Sequence, residues 1–150
     1  MNGHPSTPHG KNLRTGRVSL PHQIYFITIA TLSRASLFTR YETASLAAKG
    51  FYDQNLAPHA ETLAYVVMPN HIHWLMQLKE HGDLHEAVRI YKAKVSLLLG
   101  KKAWQPGYHD HALRSEENLL SVARYLVANP LRAGLCAKIG DYPYWNAKWL

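Results

Sequence analysis

Residues Tyr65 to Leu78 read YVVMPNHIHWLMQL: an apolar run, a Met-Pro-Asn break, then His-Ile-His leading a second apolar run. Two β-strands joined tightly account for this pattern. Pro69 fixes its own φ and Asn70 tolerates the backbone angles of a turn. Side chains alternate across a strand, so His71 and His73 point to one face and Ile72 to the other. Two imidazole nitrogens thus converge from a rigid platform, a geometry that holds a divalent metal while leaving positions for a third ligand and for substrate oxygen. The plain alternative is a polar pair on the wet face of a half-buried strand.

The 150 residues suit a single domain with one sizeable core. Residues 1–19 are read as a flexible basic arm, because they hold too little apolar content to pack, and 20–150 as the folded domain. No apolar segment approaches the roughly 20 residues that span a bilayer, and the start lacks the apolar centre of a secretory signal. The expectation is a cytoplasmic protein with no membrane contact. A single cysteine, Cys136, excludes an internal disulfide and a thiolate cluster, so any metal must use nitrogen and oxygen. Net charge of +7 points to a polyanion. Four tryptophans and nine tyrosines suit a surface that stacks on bases while neutralising phosphates.

HQIYFITIAT, residues 22–31, reads as a first and central strand. Residues 41–56 predict an amphipathic helix with Gly50 its weak point, and 61–68 a second strand running into the histidine strand. Asp83 with Glu86 predicts the capped start of a second helix that ends at Gly100. Its stripe Leu84, Ala87, Val88, Tyr91, Val95 and Leu98 is apolar; Arg89, Lys92 and Lys94 lie off it, and Lys101 and Lys102 extend the charge. Trp104 to Arg114 predicts a hairpin or an added strand. Ser115, with Glu116 and Glu117, predicts the start of a third helix running to about Ala128, since Asn129 precedes Pro130. One further turn and an aromatic tail follow. This order predicts an α+β domain, a mainly antiparallel sheet with helices over one face and a ferredoxin-like or RRM-like core.

In YLVANPLRAGL, residues 125–135, Tyr125 and Asn129 stand four apart and are expected on one helix face. The blocks MPNHIH, WQPGYHDHALR and YLVANPLRAGL occur in that order. Together they resemble the single-tyrosine HUH transposase superfamily, specifically the REP-associated tyrosine transposases, from about Arg14 to Trp145. The resemblance implies that Tyr125 is the nucleophile and that Asn129 completes a metal site with His71 and His73. It implies cutting and rejoining of single-stranded DNA beside a hairpin from a repetitive extragenic palindrome, through a 5′-phosphotyrosine. REP-associated relatives resemble self-contained monomers whereas insertion-sequence relatives share the tyrosine helix in a dimer; a monomer is the expectation.

Neutral nitrogen and amide ligands without a carboxylate suit Mg²⁺ or Mn²⁺ held partly by the DNA phosphate. His109, Asp110 and His111 form a rival cluster, also readable as polar residues near DNA. The candidate phosphate contacts are Lys11, Arg14, Arg17, Arg89, Lys92, Lys94, Lys101, Lys102 and Arg114. Two other functions fit the same residues: a domesticated protein that binds hairpin DNA without cutting it, and a metal-dependent hydrolase of small phosphoesters. The sequence names no general base.

Overall fold

The computed structural model describes residues 21–114 and 118–148; the expected arm with Lys11, Arg14 and Arg17, and the segment Ser115 to Glu117, lie outside them. Five strands form one antiparallel sheet in the order β4-β1-β3-β2-β5: β1 (Ile24–Ala30), β2 (Ala60–Met68), β3 (His71–Leu78), β4 (His109–Ala112) and β5 (Trp145–Ala147). The first four make the expected ferredoxin-like arrangement, with α1 (Tyr41–Lys49) crossing from β1 to β2 and α2 (Leu84–Leu99) from β3 to β4.

The β2–β3 turn holds only Pro69 and Asn70, since Met68 pairs directly with His71. Outside glycine, positive φ occurs among the described residues at His22, Ser33 and Arg34. The turn therefore lacks the left-handed residues that usually suit a two-residue hairpin. Bonds from outside hold it instead. Phe38 N donates to Pro69 O at 3.0 Å, and Thr31 donates to Asn70 O from both its amide and its hydroxyl, each at 3.0 Å.

Alternation along β3 sends Ile72, Trp74 and Met76 into a core shared with α1 and α2, built on stacked aromatics. Phe51 lies 4.4 Å from Tyr65 and 4.3 Å from Tyr91, centroid to centroid. The polar ends of these rings are satisfied: Tyr91 Oη donates to Ala47 O at 2.9 Å and Trp74 Nε1 to Thr62 Oγ1 at 3.0 Å. A bulge between Thr62 and Ala64 shifts the alternation of β2 by one, so that Ala64, Val66 and Met68 face the other way.

On that opposite face lies α3 (Leu119–Val127), packed through Ala123, Leu126 and Val127. The expected α+β class stands, but its helices are not confined to one face. Two cover one side and the third covers the other, because both faces of the central strands are apolar and each must be buried. The aromatic tail likewise adds a strand, β5, beside β2, anchored where Tyr142 Oη donates to Val67 O at 2.6 Å and Val67 N to Tyr144 O at 2.8 Å.

Local signals set several ends. Asp83 caps α2 by accepting from Glu86 N at 2.8 Å, and Gly100, at φ 74, closes it. The first helix stops at Lys49 rather than continuing to residue 56. A Cβ on Gly50 would stand 2.7 Å from Val95 Cγ2, so the chain passes close under α2 there and tightens into a 3-10 turn, Gly50–Tyr52. Helix α3 begins at Leu119, capped by Asn118 accepting from Ser121 N at 3.0 Å, not at Ser115. The 104–114 segment is the added strand: β4 pairs with β1.

Gly82 is fixed by close approach, because a Cβ there would sit 2.0 Å from His59 O, itself bonded by Lys79 N. Gly82→Ala is expected to cost roughly 2–4 kcal/mol through this backbone clash. Gly100→Ala, strained only by φ, should cost about 1 kcal/mol. Urea unfolding of the two variants checks the order.

Candidate active site

His71 and His73 leave β3 on the face that carries α3, together with Leu75. Their rings stand 4.8 Å apart at 77°. Each has its Nδ1 engaged. His71 Nδ1 lies 2.8 Å from Asn70 Oδ1, and since that oxygen only accepts, Nδ1–H donates and the Nε2 lone pair is left outward. His73 Nδ1 lies 2.9 Å from Thr28 Oγ1, its cross-strand neighbour on β1. Phe26, 5.5 Å from the His73 ring, supplies an apolar wall.

Burial lowers the pKa of both imidazoles, His71 to about 4 and His73 to about 3. Neighbouring charge adds to the effect: Arg34 acts on His71, and His71 and Arg132 act on His73. Both rings are therefore neutral at physiological pH and hold free nitrogen lone pairs, the form in which imidazole binds metal.

Tyr125 is on α3, two residues before its end, and is 61% exposed while its neighbours Leu126 and Val127 are buried. The ring is not a core anchor. Tyr125 and Asn129, expected on one helix, lie on successive elements, because the helix ends at Ala128 (φ −82, ψ 0) and Asn129 opens a separate turn, α4 (Asn129–Arg132). Pro130 has no N–H to give to the Leu126 carbonyl four residues back. Asn129 Nδ2 donates to that carbonyl instead, at 2.8 Å. With the amide nitrogen so used, Oδ1 is the end of Asn129 left to serve as a ligand.

Among the described residues no group of three or more His, Cys, Asp or Glu is placed to hold a metal. The rival cluster is divided by strand alternation: Asp110 pairs with Ile27 while His109 and His111, opposite Thr28 and Phe26, face the other side. An ion on the histidine face would rely on two anchored neutral imidazoles plus amide or substrate oxygen. The donor set at His71, His73 and Asn129 fits that requirement.

The second-helix cations are not brought to this face. Helix α2 packs across the sheet from the histidines, and with it stand Arg89, Lys92, Lys94, Lys101 and Lys102. Arg89 is paired with Glu86. Lys92 Nζ donates to Gln105 O at 3.0 Å and Gly107 O at 3.2 Å, tying down the loop before β4. A groove of about 340 Å³ between α2 and that loop is lined by Arg89, Lys92, Lys102, Trp104 and Tyr108. Arg114 follows β4 at the sheet edge and is exposed.

Arg132, Arg34 and Thr28 belong to the neighbourhood of the histidines and were not marked by the sequence. Only Arg132 left a local signal, seven residues or two helical turns beyond Tyr125.

A profile described as "Transposase IS200 like" matches residues 20–129, most of the chain, and this includes both histidines, Tyr125 and Asn129. The chain belongs to the IS200-like transposase family. A Haemophilus influenzae protein provisionally named a REP-associated tyrosine transposase is 30% identical over 140 residues, spanning 81% of this chain and 77% of that protein. The REP-associated tyrosine transposase of Escherichia coli K12 is 30% identical over 86 residues, or 56% of this chain and 52% of that one. The structure of a REP-associated tyrosine transposase bound to a REP hairpin superposes with a TM-score of 0.70 at 26% identity, covering 86% of this chain and 79% of that one. No helix among the described residues is long and apolar enough to cross a membrane.

The pKa shifts carry a stability consequence. As pH falls below about 6.5 the unfolded chain protonates His71 and His73, but the folded chain does so only near 4 and 3. Their contribution to stability is thus complete above about 6.5 and is lost as pH falls toward the folded values. In urea titrations between pH 7 and 4 the parent should lose stability more steeply than the double variant His71→Asn, His73→Asn. Equal slopes would show that the two rings are solvated.

Proposed function

We propose that this protein cuts and rejoins single-stranded DNA beside REP-type hairpins, with Tyr125 as nucleophile and a divalent metal, Mg²⁺ or Mn²⁺, on His71, His73 and Asn129. The observation that carries the reading is a tyrosine on α3 exposing 61% of its surface, on the helix that covers the same sheet face as two neutral, anchored histidines. A packing tyrosine would be buried, and a pure DNA binder has no use for a pair of imidazoles kept neutral at physiological pH. The hairpin held by the related structure supports the substrate class, and the reading places the reaction in the cytoplasm.

Cleavage begins with the Tyr125 Oη attacking the phosphorus in line with the leaving 3′-oxygen. The new P–O bond joins the 5′-phosphate to tyrosine; the P–O3′ bond breaks, and the phenolic proton is given up while the 3′-oxygen gains one. A phosphodiester replaces a phosphodiester, so attack by a 3′-hydroxyl reverses the step and joins strands. The protein's task is positioning and offsetting phosphate charge. A bound divalent ion supplies Lewis-acid stabilisation of the phosphate oxygens. His71 and His73 are kept in ligand orientation by Asn70 and Thr28, and Asn129 by the Leu126 carbonyl. Arg132 places fixed positive charge near His73.

A labelled hairpin oligonucleotide with a single-stranded flank tests the reading on a denaturing gel. The parent should form a covalent protein–DNA adduct that EDTA abolishes, and Tyr125→Phe, which keeps the ring, should form none while still binding the hairpin. An adduct with the Phe variant at the parent rate would move the nucleophile elsewhere. Binding without any adduct by the parent would favour the non-cleaving binder.

His71→Ala and His73→Ala separate the roles of metal and surface. Each should reduce adduct formation by about 100-fold or more, with hairpin affinity within about threefold, since phosphate contacts elsewhere supply affinity. Parallel loss of binding in fluorescence anisotropy would place the histidines in the DNA interface instead.

A further inference from the structure

Arg132 touches Tyr125 at both ends of the residue. Its Cζ lies 3.8 Å from the centroid of the Tyr125 ring, and its Nη2 donates to the Tyr125 carbonyl at 2.8 Å. The two contacts span the break at Ala128. Seven residues along an unbroken helix would put Arg132 about two turns, or some 10 Å, further down the axis. Here α3 ends before Pro130 and α4 follows as a separate turn, and the guanidinium lies over the aromatic face. Among the described residues Arg132 forms no ion pair with a carboxylate, so its charge is not spent on one.

We propose that Arg132 is the positioning residue for Tyr125: the guanidinium, tethered to the Tyr125 carbonyl and stacked on its ring, fixes the phenol in the one orientation from which it reaches the phosphate. This rests on Tyr125 being the nucleophile. The need for such a device follows from exposure. A ring with 61% of its surface in solvent has few packing contacts to select a rotamer, yet in-line attack tolerates little misplacement. A planar cation over one ring face restricts rotation while leaving the hydroxyl clear. The same guanidinium bears electrostatically on His73.

Lysine separates positioning from a merely structural part. Arg132→Lys keeps the positive charge and a donor for the Tyr125 carbonyl but has no plane to lie on the ring. Single-turnover adduct formation at saturating hairpin, hairpin affinity by anisotropy and thermal midpoint are measured for the parent, Arg132→Ala, Arg132→Lys and Tyr125→Phe. Loss of orientation should slow adduct formation by Arg132→Ala by about 10- to 100-fold, with affinity within about threefold of the parent. Arg132→Lys should recover the thermal midpoint and remain at least about 10-fold slow.

Three results overturn the proposal: Arg132→Ala at the parent rate; Arg132→Lys restoring rate and midpoint together, the mark of a helix cap; or affinity falling in step with rate, the mark of a phosphate contact. A parent that forms no adduct is a separate failure. It removes the nucleophile reading itself, whereas a normal parent adduct with unimpaired Arg132 variants removes only this inference.

Discussion

The register of the β2–β3 hairpin is the constraint from which the site follows. Two residues, Pro69 and Asn70, make the turn, and their carbonyls are bonded by Phe38 N and by Thr31 through amide and hydroxyl. A slip of one residue would turn His71 and His73 into the aromatic core and bring Ile72 and Trp74 out. Trp74 is fully buried and its indole N–H is bonded to Thr62, so the alternative register costs a large side chain and a satisfied donor at once. The core on one face therefore holds the chemistry on the other.

The sheet divides its labour by face. Toward α1 and α2 the side chains are large and aromatic; Tyr91 Oη and Trp74 Nε1 are bonded there, whereas the buried Trp104 Nε1 has no partner among the described residues. Toward α3 they are aliphatic, with Leu63, Ala64, Val66, Met68 and Leu75, and the same face carries the two histidines, Thr28 and Phe26. Desolvation there keeps the imidazoles neutral, and Arg34 and Arg132 reinforce it. Arg34 is held at φ 56 next to Ser33 at φ 55, a left-handed pair that is costly outside glycine. The strained turn is braced by the Thr31 hydroxyl, whose single proton is shared between Ala35 O at 2.7 Å and Asn70 O at 3.0 Å.

Proline chemistry arranges the other half of the site. Pro130 ends α3, leaves the Leu126 carbonyl to the Asn129 side chain, and lets Arg132 fold back to the Tyr125 carbonyl and ring. Two carbonyls at the end of a helix are satisfied by side chains, and those side chains are thereby oriented. One missing N–H thus fixes the amide end of Asn129 and the stacking partner of Tyr125.

What the sequence determined by itself is what depends on neighbours within a few residues. Asp83 and Gly100 bound α2, Pro69-Asn70 marks the hairpin, and alternation puts His71 and His73 on one face. These are set by capping, turn chemistry and side-chain period, which act along the chain. Tertiary structure decided the rest. That α3 covers the opposite face, that Trp145–Ala147 becomes a fifth strand, and that the α2 cations stand across the sheet from the histidines depend on which apolar surface meets which. Thr28 stands behind His73 only through the β1–β3 register, and Arg132 meets Tyr125 across the break between α3 and α4. Such pairings are chosen by burial and hydrogen-bond satisfaction between segments distant in sequence, and no window of neighbouring residues contains that choice.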